Sequence, residues 1–600
     1  MTTRISFSQL RRSRIGIILL LFALLDFGSA ETLPWVMRWS PKGFGPDGPW
    51  NAVLVELGSA KEQIALYPGA WWTSYIILSS YCSNFTISSY CYADDAGTFS
   101  AQSTTWDNTS IQYVPDGTWG SLDISQTNAI PVYGKAHRST DMMSLFGTDI
   151  PSSNLITVQD GYQTYPGGNN YPLEVGTLAL GAQYMNQTFG DIGGTIATGW
   201  LWNGSKTIES YTYGMHIGSS SLGIPGSLML GGYDQSRVLG DVSVQPHTGS
   251  SAPINLLDVS LGVATGSSPW NSPSKEGLLA QGNSSLLGGT TVIAAPVDPY
   301  LYLPRSSCDA IAAELPVTHN SDLGLYTWNT DDPHYQNIIT SPSYLAFTFT
   351  KDNTNTQNFT IKVPFALLNL TLDSPLVDRP MAYFPCYGTE GRYALGRAFL
   401  QAAFIGANMK IGATNWFLAQ APGPGYARTA SKTILAEDAT TLASSHNDWE
   451  ASWSAHWTPL ASNGTISKNS TSSENSSTGA TTSKASESSD SECLSLGAKA
   501  GIGAGCGAAG LLLATLLVFW LVRRRRRQKR DPAQETAAYD ALAAQQASMV
   551  HISNGSSFQH NSTGWAKPLP RIELDDNSPY QGPFEMGPGK TYSMKYQREL

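Results

Sequence analysis

Residues 226–234 read Gly-Ser-Leu-Met-Leu-Gly-Gly-Tyr-Asp, a short apolar run enclosed by glycines and ended by an aspartate. Similar short apolar runs, separated by Gly, Pro, Asn and Asp, recur at residues 50–57, 76–78, 344–349 and 359–363. Such runs between turn residues are typical of β-strands. Helical periodicity is rare and is clearest at residues 306–315. The sequence therefore predicts a mainly β fold for the folded part, residues 31–425.

The composition bounds the class of protein. The chain has 600 residues, of which 14% are charged, with a formal net charge of −10 and a mean hydropathy of −0.17. Average soluble domains carry about 25% charged residues, so this composition is closer to that of an all-β secreted protein. Residues 31–522 hold 37 acidic and 20 basic residues, a formal charge of −17. The acidity excludes a generally basic nucleic-acid-binding protein, and the hydropathy excludes a polytopic transporter.

Several pieces of residues 48–420 together indicate a family. They are Trp50-Asn-Ala-Val-Leu-Val-Glu-Leu-Gly58, the pair Cys82 and Cys91, the expected strand pair Leu178-Ala-Leu-Gly181 and Asn186-Gln-Thr-Phe-Gly190, the stretch 226–234, the pair Cys308 and Cys386, and Tyr393-Ala-Leu-Gly-Arg-Ala-Phe399. In this order and spacing they resemble the motifs of the pepsin-like (A1) aspartic peptidases, especially the membrane-anchored forms of filamentous fungi. The resemblance implies two β-rich lobes, at about residues 48–245 and 250–420, facing each other across a cleft. It also implies the disulfides Cys82–Cys91 and Cys308–Cys386.

The chemistry of that family requires two aspartates, one per lobe, about 3 Å apart, which share a proton and polarise a water molecule. Each stands in an apolar-apolar-Asp-Thr/Ser-Gly turn, and neither Asp-Thr-Gly nor Asp-Ser-Gly occurs in the chain. The matching stretches place Tyr67 and Ala295 at the two Asp positions, with Pro68 and Pro296 next to them. A phenol titrates at about 10, and alanine has no ionisable group. The resemblance therefore predicts that both catalytic aspartates are replaced.

Asp298 is a weak substitute for the second aspartate. It lies three residues beyond the matched position, Pro299 follows it, and no glycine supplies the tight turn. We expect Asp298 to be a solvated or turn-capping carboxylate. The chain has no G-x-S-x-G, H-E-x-x-H or P-loop motif and no CxxC or His-rich spacing. The sequence thus predicts no catalytic set, no metal site and no cofactor.

Apolar segments lie on both sides of residues 31–499, the part of the chain that we expect to lie outside the cell. Residues 1–30 have four early arginines, an apolar run and the small residues Gly-Ser-Ala at 28–30, the pattern of a signal peptide. Residues 500–522 carry no charge, and their 23 residues are long enough to cross a bilayer core of about 30 Å. The six arginines and one lysine at 523–530 place that end in the cytosol. This pattern predicts a single-pass type I protein of the plasma membrane or cell surface.

The segments around the membrane helix are polar. We interpret residues 426–499 as a Ser/Thr-rich glycosylated stalk, which has too few apolar residues to offset ordering entropy, and residues 523–600 as a disordered cytosolic tail. The spacing of Gly503 and Gly507 would let two membrane helices approach and dimerise. Exterior N-x-Ser/Thr sequons predict N-glycosylation. They are Asn84, Asn108, Asn186, Asn203, Asn283, Asn358, Asn369, Asn463, Asn469 and Asn475.

Three functions stay open. The first is a catalytically inactive relative of the aspartic peptidases with a binding or sensing role at the cell surface. It would bind an extended peptide or a glycan in the cleft, with Trp71 and Trp72 as aromatic contacts unless these side chains only pack within the lobe. The second is an active aspartic endopeptidase whose motifs are aligned differently. The third is a structural surface glycoprotein without a specific ligand. The replacement of both aspartates favours the first.

Overall fold

The computed structural model describes residues 32–83, 88–107, 124–182, 186–189, 192–247, 251–352, 357–410, 412, 415–426 and 429–461. Within these residues the fold is mainly β, as predicted. The predicted helix is present as Arg305–Ala312, and it buries Cys308 and Ile311 on one face. The periodicity of that stretch therefore correctly predicted which face of the helix is buried.

Strands dominate both halves of the chain. The N-terminal half (residues 32–247) contains β1 (Trp35–Val36), β2 (Trp39–Phe44), β3 (Trp50–Leu57), β4 (Glu62–Ala70), β5 (Ser74–Ile77), β6 (Val132–Ser144), β7 (Asp149–Thr164), β8 (Asn170–Pro172), β9 (Gly176–Ala179), β10 (Asn186–Phe189), β11 (Ile192–Thr195), β12 (Thr212–His216), β13 (Ser227–Leu230), β14 (Gly232–Asp234) and β15 (Leu239–Pro246). The rest of the chain contains β16 (Pro253–Val263), β17 (Ser274–Lys275), β18 (Thr290–Ala294), β19 (Leu301–Pro304), β20 (Val317–Asn320), β21 (Leu325–Trp328), β22 (Ser343–Thr350), β23 (Asn358–Pro364), β24 (Leu370–Leu372), β25 (Met381–Phe384), β26 (Cys386–Thr389), β27 (Ala394–Leu395), β28 (Ala403–Asn408), β29 (Asn415–Gln420) and β30 (Lys432–Ile434).

Helices are short. They are α1 (Ala93–Ala96), α2 (Ala197–Gly199), α3 (Arg305–Ala312), α4 (Pro333–Thr340), α5 (Arg397–Leu400) and α6 (Trp449–Trp453), with a π-helical turn at Trp200–Gly204 and 3-10 turns at Ser79–Ser83, Gln235–Arg237, Ser284–Leu286 and Phe365–Leu367. α4 shows why such helices start where they do. The Asp332 side chain accepts a hydrogen bond from the backbone N–H of His334, and Pro333 occupies the first helical position.

The N-terminal half is built on one large sheet in the order β10-β11-β7-β5-β9-β4-β3-β2, with β6 and β8 paired at its side. β3 buries Val53, Val55 and Leu57 at alternating positions, which is the pattern of a strand with one face on the core. β9 lies between β5 and β4, whereas β10 pairs with β11. Among the described residues, the pieces at 178–181 and 186–189 therefore do not pair with each other, contrary to the expectation from the sequence.

The C-terminal half, residues 251–426, has a corresponding sheet in the order β23-β22-β16-β18-β27-β19-β26. β18 pairs parallel with β27, and β4 of the N-terminal half pairs parallel with β9. Each of these pairings stands beside one predicted Asp position. Tyr67 is in register with Thr177, and the backbone N–H of Ala295 donates to the carbonyl of Leu395 at 3.0 Å. The two halves repeat one backbone arrangement around the two positions.

A third sheet draws strands from both halves, in the order β1-β13-β12-β28-β29-β15. β28 and β29 of the C-terminal half lie between β12 and β15 of the N-terminal half, and all of these contacts are antiparallel. We call it the shared sheet. It joins the two halves, because β28 and β29 of the C-terminal half are hydrogen-bonded to β12 and β15 of the N-terminal half.

The fold continues past residue 425, where the sequence interpretation began the stalk. β30 pairs with β14, and the backbone N–H of Ser445 donates to the carbonyl of Val238 at 2.7 Å. Trp453 is buried and stacks on Trp457 with ring centroids 5.6 Å apart. These tryptophans supply the apolar area that a stalk would lack. Residues 429–461 therefore belong to the folded body.

No helix in the described ranges is long and apolar enough to cross a membrane. The predicted signal peptide at 1–30, the apolar segment at 500–522 and the basic flank at 523–530 lie outside the described residues, as do the remainder of the stalk from residue 462 and the tail.

Candidate functional site

The two turns predicted to stand at the catalytic positions, around Tyr67 and Ala295, lie against each other. Gly69 has φ +124°, and a Cβ built on it would lie 2.1 Å from Cγ of Pro296. No side chain fits in that space, and the positive φ also favours glycine. The close approach of the two turns therefore depends on Gly69.

Tyr67 is buried, with 7% of its surface exposed. Its hydroxyl has no hydrogen-bond partner among the described residues. Burial raises the pKa of Tyr67 well above the usual value for a phenol, and the nearby Arg397 only partly opposes this effect. Tyr67 therefore stays neutral at physiological and acidic pH, and it does not supply the negative charge that an aspartate would have supplied.

Arg397 occupies the centre of the site. It directly follows Gly396 and begins α5, and it is 5% exposed. Its guanidinium carbon lies 4.0 Å from the ring centroid of Tyr67 and 5.1 Å from that of Trp50, and one NH group donates to the carbonyl of Val297 at 2.7 Å. Cations over aromatic faces are attracted by the ring quadrupole, more strongly when water is excluded. A buried cation thus packs against the side chain at the first Asp position.

Sequence reasoning missed Arg397, although a signal was present. In the motif Tyr393-Ala-Leu-Gly-Arg-Ala-Phe399 a single charge stands among buried apolar residues. Arginine is seldom buried without a partner. A charged residue in such a run therefore indicates a specific set of interior contacts.

Ala295 is fully buried at the second Asp position. Asp298 closes a tight turn after it, because its backbone N–H donates to the carbonyl of Ala295 at 3.0 Å. The Asp298 side chain is only 1% exposed, so the expectation of a solvated carboxylate is wrong. Chain connectivity alone suggested a surface turn, but a distant segment covers the carboxylate.

The carboxylate of Asp298 is held by that segment. Its oxygens accept hydrogen bonds from the hydroxyl of Ser125 at 2.5 Å and from the backbone N–H of Gln126 at 3.0 Å. Burial raises the pKa of Asp298 to about 6, against the lowering effects of the Ser125 hydroxyl and the charge of Arg397. Asp298 is therefore a capped interior acid, engaged by groups of the other half.

A cavity of about 100 Å³ lies between the two halves, with Asp47, Tyr67, Glu174, Asp298 and Arg397 in its wall. We call it the inner cavity. Its volume corresponds to roughly three water molecules at about 30 Å³ each. Burial raises the pKa of Glu174 to about 7, while the backbone N–H of Gly45, which donates to it at 3.1 Å, has a lowering effect. Glu174 was not expected from the sequence, because it belongs to none of the matched motifs.

Residues 124–130, which we call the bridging segment, contribute Ile124, Ser125 and Ile130 to the wall of the inner cavity. Besides its contacts to Asp298, the segment accepts hydrogen bonds from the C-terminal half. Arg392 donates to the carbonyl of Gln126 at 3.1 Å, and Tyr387 donates to the carbonyl of Ala129 at 3.2 Å. The bridging segment thus links the N-terminal half to the C-terminal half across the site.

A second, larger space of about 480 Å³ shares Ile124, Ser125 and Val297 with the inner cavity, and we call it the outer groove. Its lining residues come from both halves and comprise Ala70, Trp71, Trp72, Thr73, Tyr75, Ile124, Ser125, Gln126, Asn128, Arg138, Ile156, Ser251, Ile293, Val297 and Arg392. The two tryptophans predicted as contacts are therefore in the groove wall, and both are half-buried. Trp71 also packs edge-on against His247, with ring centroids 5.0 Å apart. These side chains therefore combine packing with exposure to the groove.

The covalent features agree with the sequence where they are described. The disulfides Cys82–Cys91 and Cys308–Cys386 are both present, which confirms the predicted disulfide bonds. Of the described sequon side chains, Asn203 and Asn358 are exposed, whereas Asn283 and Asn369 are half-buried. Asn186 lies in β10, a strand described by its backbone. The other sequons, Asn84, Asn108, Asn463, Asn469 and Asn475, lie outside the described residues.

Comparison with known proteins does not identify a relative: no protein-family model matches the chain, and neither does any curated protein.

Proposed function

We propose that the chain is a pepsin-like, two-lobed binding protein without aspartic peptidase activity, which presents the outer groove at the cell surface. The observation that carries the proposal is the composition of the two facing turns. A neutral phenol under a guanidinium stands at one position and a buried alanine at the other. An aspartic dyad needs two carboxylates that share a proton there.

The nearest carboxylate does not restore that chemistry. General acid–base catalysis requires a group within hydrogen-bonding reach of the attacking water and free to exchange its proton. Both oxygens of Asp298 already accept hydrogen bonds from the bridging segment. A substrate amide would have to displace Ser125 and Gln126 before it reached this acid. The proposal therefore assigns Asp298 to holding the halves together.

The open volume of the outer groove supports a binding role. The outer groove has a volume of about 480 Å³, within the range of about 300–1,000 Å³ typical of ligand sites. It is formed by both halves and contains Trp71, Trp72 and Arg392. Loss of catalysis with retention of such a groove is the pattern expected of a binding or sensing protein.

The decisive experiment is incubation of the purified full chain with an unfolded protein substrate at pH 4 and pH 6, with and without a pepstatin-type inhibitor. We expect no cleavage above that of a heat-inactivated sample. An active pepsin-like peptidase in parallel shows that the assay detects cleavage. Inhibitor-sensitive cleavage by the chain would overturn the proposal.

One observation favours an active endopeptidase as the second candidate. Glu174 and Asp298 come from different halves, line the same inner cavity and have pKa values raised to about 7 and about 6. Groups with raised pKa values are common at catalytic sites, although buried structural acids show them too. If cleavage is detected, Glu174→Gln and Asp298→Asn should each abolish it, while Asp331→Asn, at an exposed carboxylate that lines neither the inner cavity nor the outer groove, should leave it unchanged.

We further propose that residues 500–522 anchor the protein as a single-pass type I membrane protein, with the folded body outside and residues 523–600 in the cytosol. Protease treatment of intact cells should then remove an epitope in the folded body and spare a C-terminal epitope. Loss of both epitopes, or of neither, would contradict this orientation.

A further inference from the structure

We propose that the outer groove binds an acidic saccharide, a chain of sugar rings bearing carboxylates. This inference deepens the proposed binding function and rests on it.

The groove is locally basic on a strongly acidic chain. Among its described lining residues are Arg138 and Arg392, and none of those described residues is an aspartate or a glutamate. Residues 31–522 as a whole carry 37 acidic and 20 basic residues, so the described lining differs in charge from the chain as a whole. Guanidinium groups present planar donors that match carboxylates in pairs. The charge complementarity therefore favours an anionic ligand.

The aromatic and amide groups narrow the ligand class. Trp71 and Trp72 offer half-buried indole surface, and indoles combine a large apolar face with one polar N–H. Sugar rings have apolar C–H faces that pack on such surfaces, with hydroxyl groups at their edges. Gln126 lies in the same wall, and neither atom of its side-chain amide has a hydrogen-bond partner among the described residues. Because both amide atoms are enclosed in this structure, a ligand hydroxyl group reaches them only when the Gln126 side chain turns towards the groove.

The groove strands argue against an extended peptide. A peptide that binds as an added strand needs a free strand edge. Ile156 of β7 is paired on both sides, with Arg138 of β6 and with Tyr75 of β5. Ile293 of β18 is likewise paired, with Pro253 and with Ala394. At Ile156 and Ile293 the groove therefore offers no free strand edge to a peptide, and the lining side chains suit a polyhydroxylated anion.

The test uses the tagged full chain and three probes: hexagalacturonate, its methyl ester and hexaglutamate. We expect saturable binding of hexagalacturonate, at least tenfold weaker binding of the uncharged ester and no comparable binding of the acidic peptide. Arg392→Gln and Trp71→Ala should each weaken hexagalacturonate binding about tenfold or more. Arg305→Gln is the matched control, because Arg305 is an exposed arginine that pairs with Asp309 outside the groove.

Unfolding curves of every variant show whether the fold is intact. If Trp71→Ala unfolds, Arg392→Gln decides alone, since Arg392 is exposed and its loss removes one hydrogen bond to the bridging segment. Absence of hexagalacturonate binding, or binding that both groove variants leave unchanged, overturns the inference. Equal binding of hexaglutamate that depends on Arg392 also overturns it, but leaves the proposed binding function standing. Failure of that function would appear separately, as cleavage of the unfolded substrate.

Discussion

The turn at residues 67–69 and the turn at residues 295–298 stand in matching backbone surroundings but hold opposite kinds of group. The N-terminal turn presents a phenol that packs under the Arg397 guanidinium at 4.0 Å. The C-terminal turn presents alanine, and its acid lies three residues later, capped by Ser125 and Gln126. Parallel pairing beside each turn is the same in both halves. The strand framework around these turns therefore does not require carboxylates.

The disulfides of the two halves close loops of different length, and removing them should have the largest effect on the free energy of unfolding. Cys308–Cys386 closes 78 residues, whereas Cys82–Cys91 closes 9. In the loop-entropy model, alanine pairs should lower the free energy of unfolding by about 4.5 kcal/mol for the long loop and about 2.5 kcal/mol for the short one. Denaturant unfolding of the two double variants measures the difference. Equal losses would show that covalent support is the same in both halves.

Arg397→Met should have the next largest effect, because the guanidinium joins the two turns. The substitution removes its contacts with Tyr67 and Trp50 and leaves Asp298 buried without its cation. We expect a loss of about 3 kcal/mol in the free energy of unfolding. Arg305→Met, at an exposed i,i+4 pair, should lose no more than about 1 kcal/mol. A loss at Arg397 no larger than at Arg305 would mean that the guanidinium does not bind the turns together.

The pH dependence of stability should separate the two turns further, since only the C-terminal one carries an acid. The folded-state pKa of Asp298 is about 6, above its ordinary value of 3.8, so protonation favours the folded protein. Its contribution is fully present below about pH 4 and is lost as the pH rises towards 6. The loss should be about 1–3 kcal/mol. Glu174 adds a similar decline up to about pH 7.

The Asp298→Asn variant isolates that contribution. Its free energy of unfolding, measured from pH 4 to pH 8, should fall less steeply between pH 4 and pH 6 than that of the unchanged protein. The decline due to Glu174 should remain. Identical slopes would mean that the raised pKa of Asp298 does not contribute to folding.

The smallest effect is expected at the N-terminal turn itself. Tyr67→Phe removes a buried hydroxyl that has no partner among the described residues, so stability should change by no more than about 0.5 kcal/mol or rise slightly. Tyr165→Phe is the matched control, because its hydroxyl bonds that of Tyr300 at 2.8 Å, and it should lose about 1 kcal/mol. Thermal or denaturant unfolding measures both. A loss at Tyr67 equal to that at Tyr165 would indicate a polar partner for the Tyr67 hydroxyl.

Local sequence patterns predicted those features of the fold that arise from short-range interactions. The strand-rich texture and the helix at residues 306–315 follow from short-range periodicity, whereas the disulfides were implied by the family resemblance. The location of the Asp298 carboxylate does not follow from such short-range patterns. Asp298 is buried by Ser125, which lies 173 positions away in sequence, and no local pattern encodes that contact. The end of the fold was also placed too early, because isolated tryptophans at 449–457 reveal their role only when they pack together.

The shared sheet has a consequence for how the chain can be divided. Because β28 and β29 sit between β12 and β15, a cut near residue 250 would leave unpaired ladder edges on both products. Neither half is thus a detachable module, and the folded body should melt in a single cooperative transition. A ligand that binds in the outer groove would raise the melting temperature of the whole body through mass action. Truncation or recombination therefore has to treat the body as one piece.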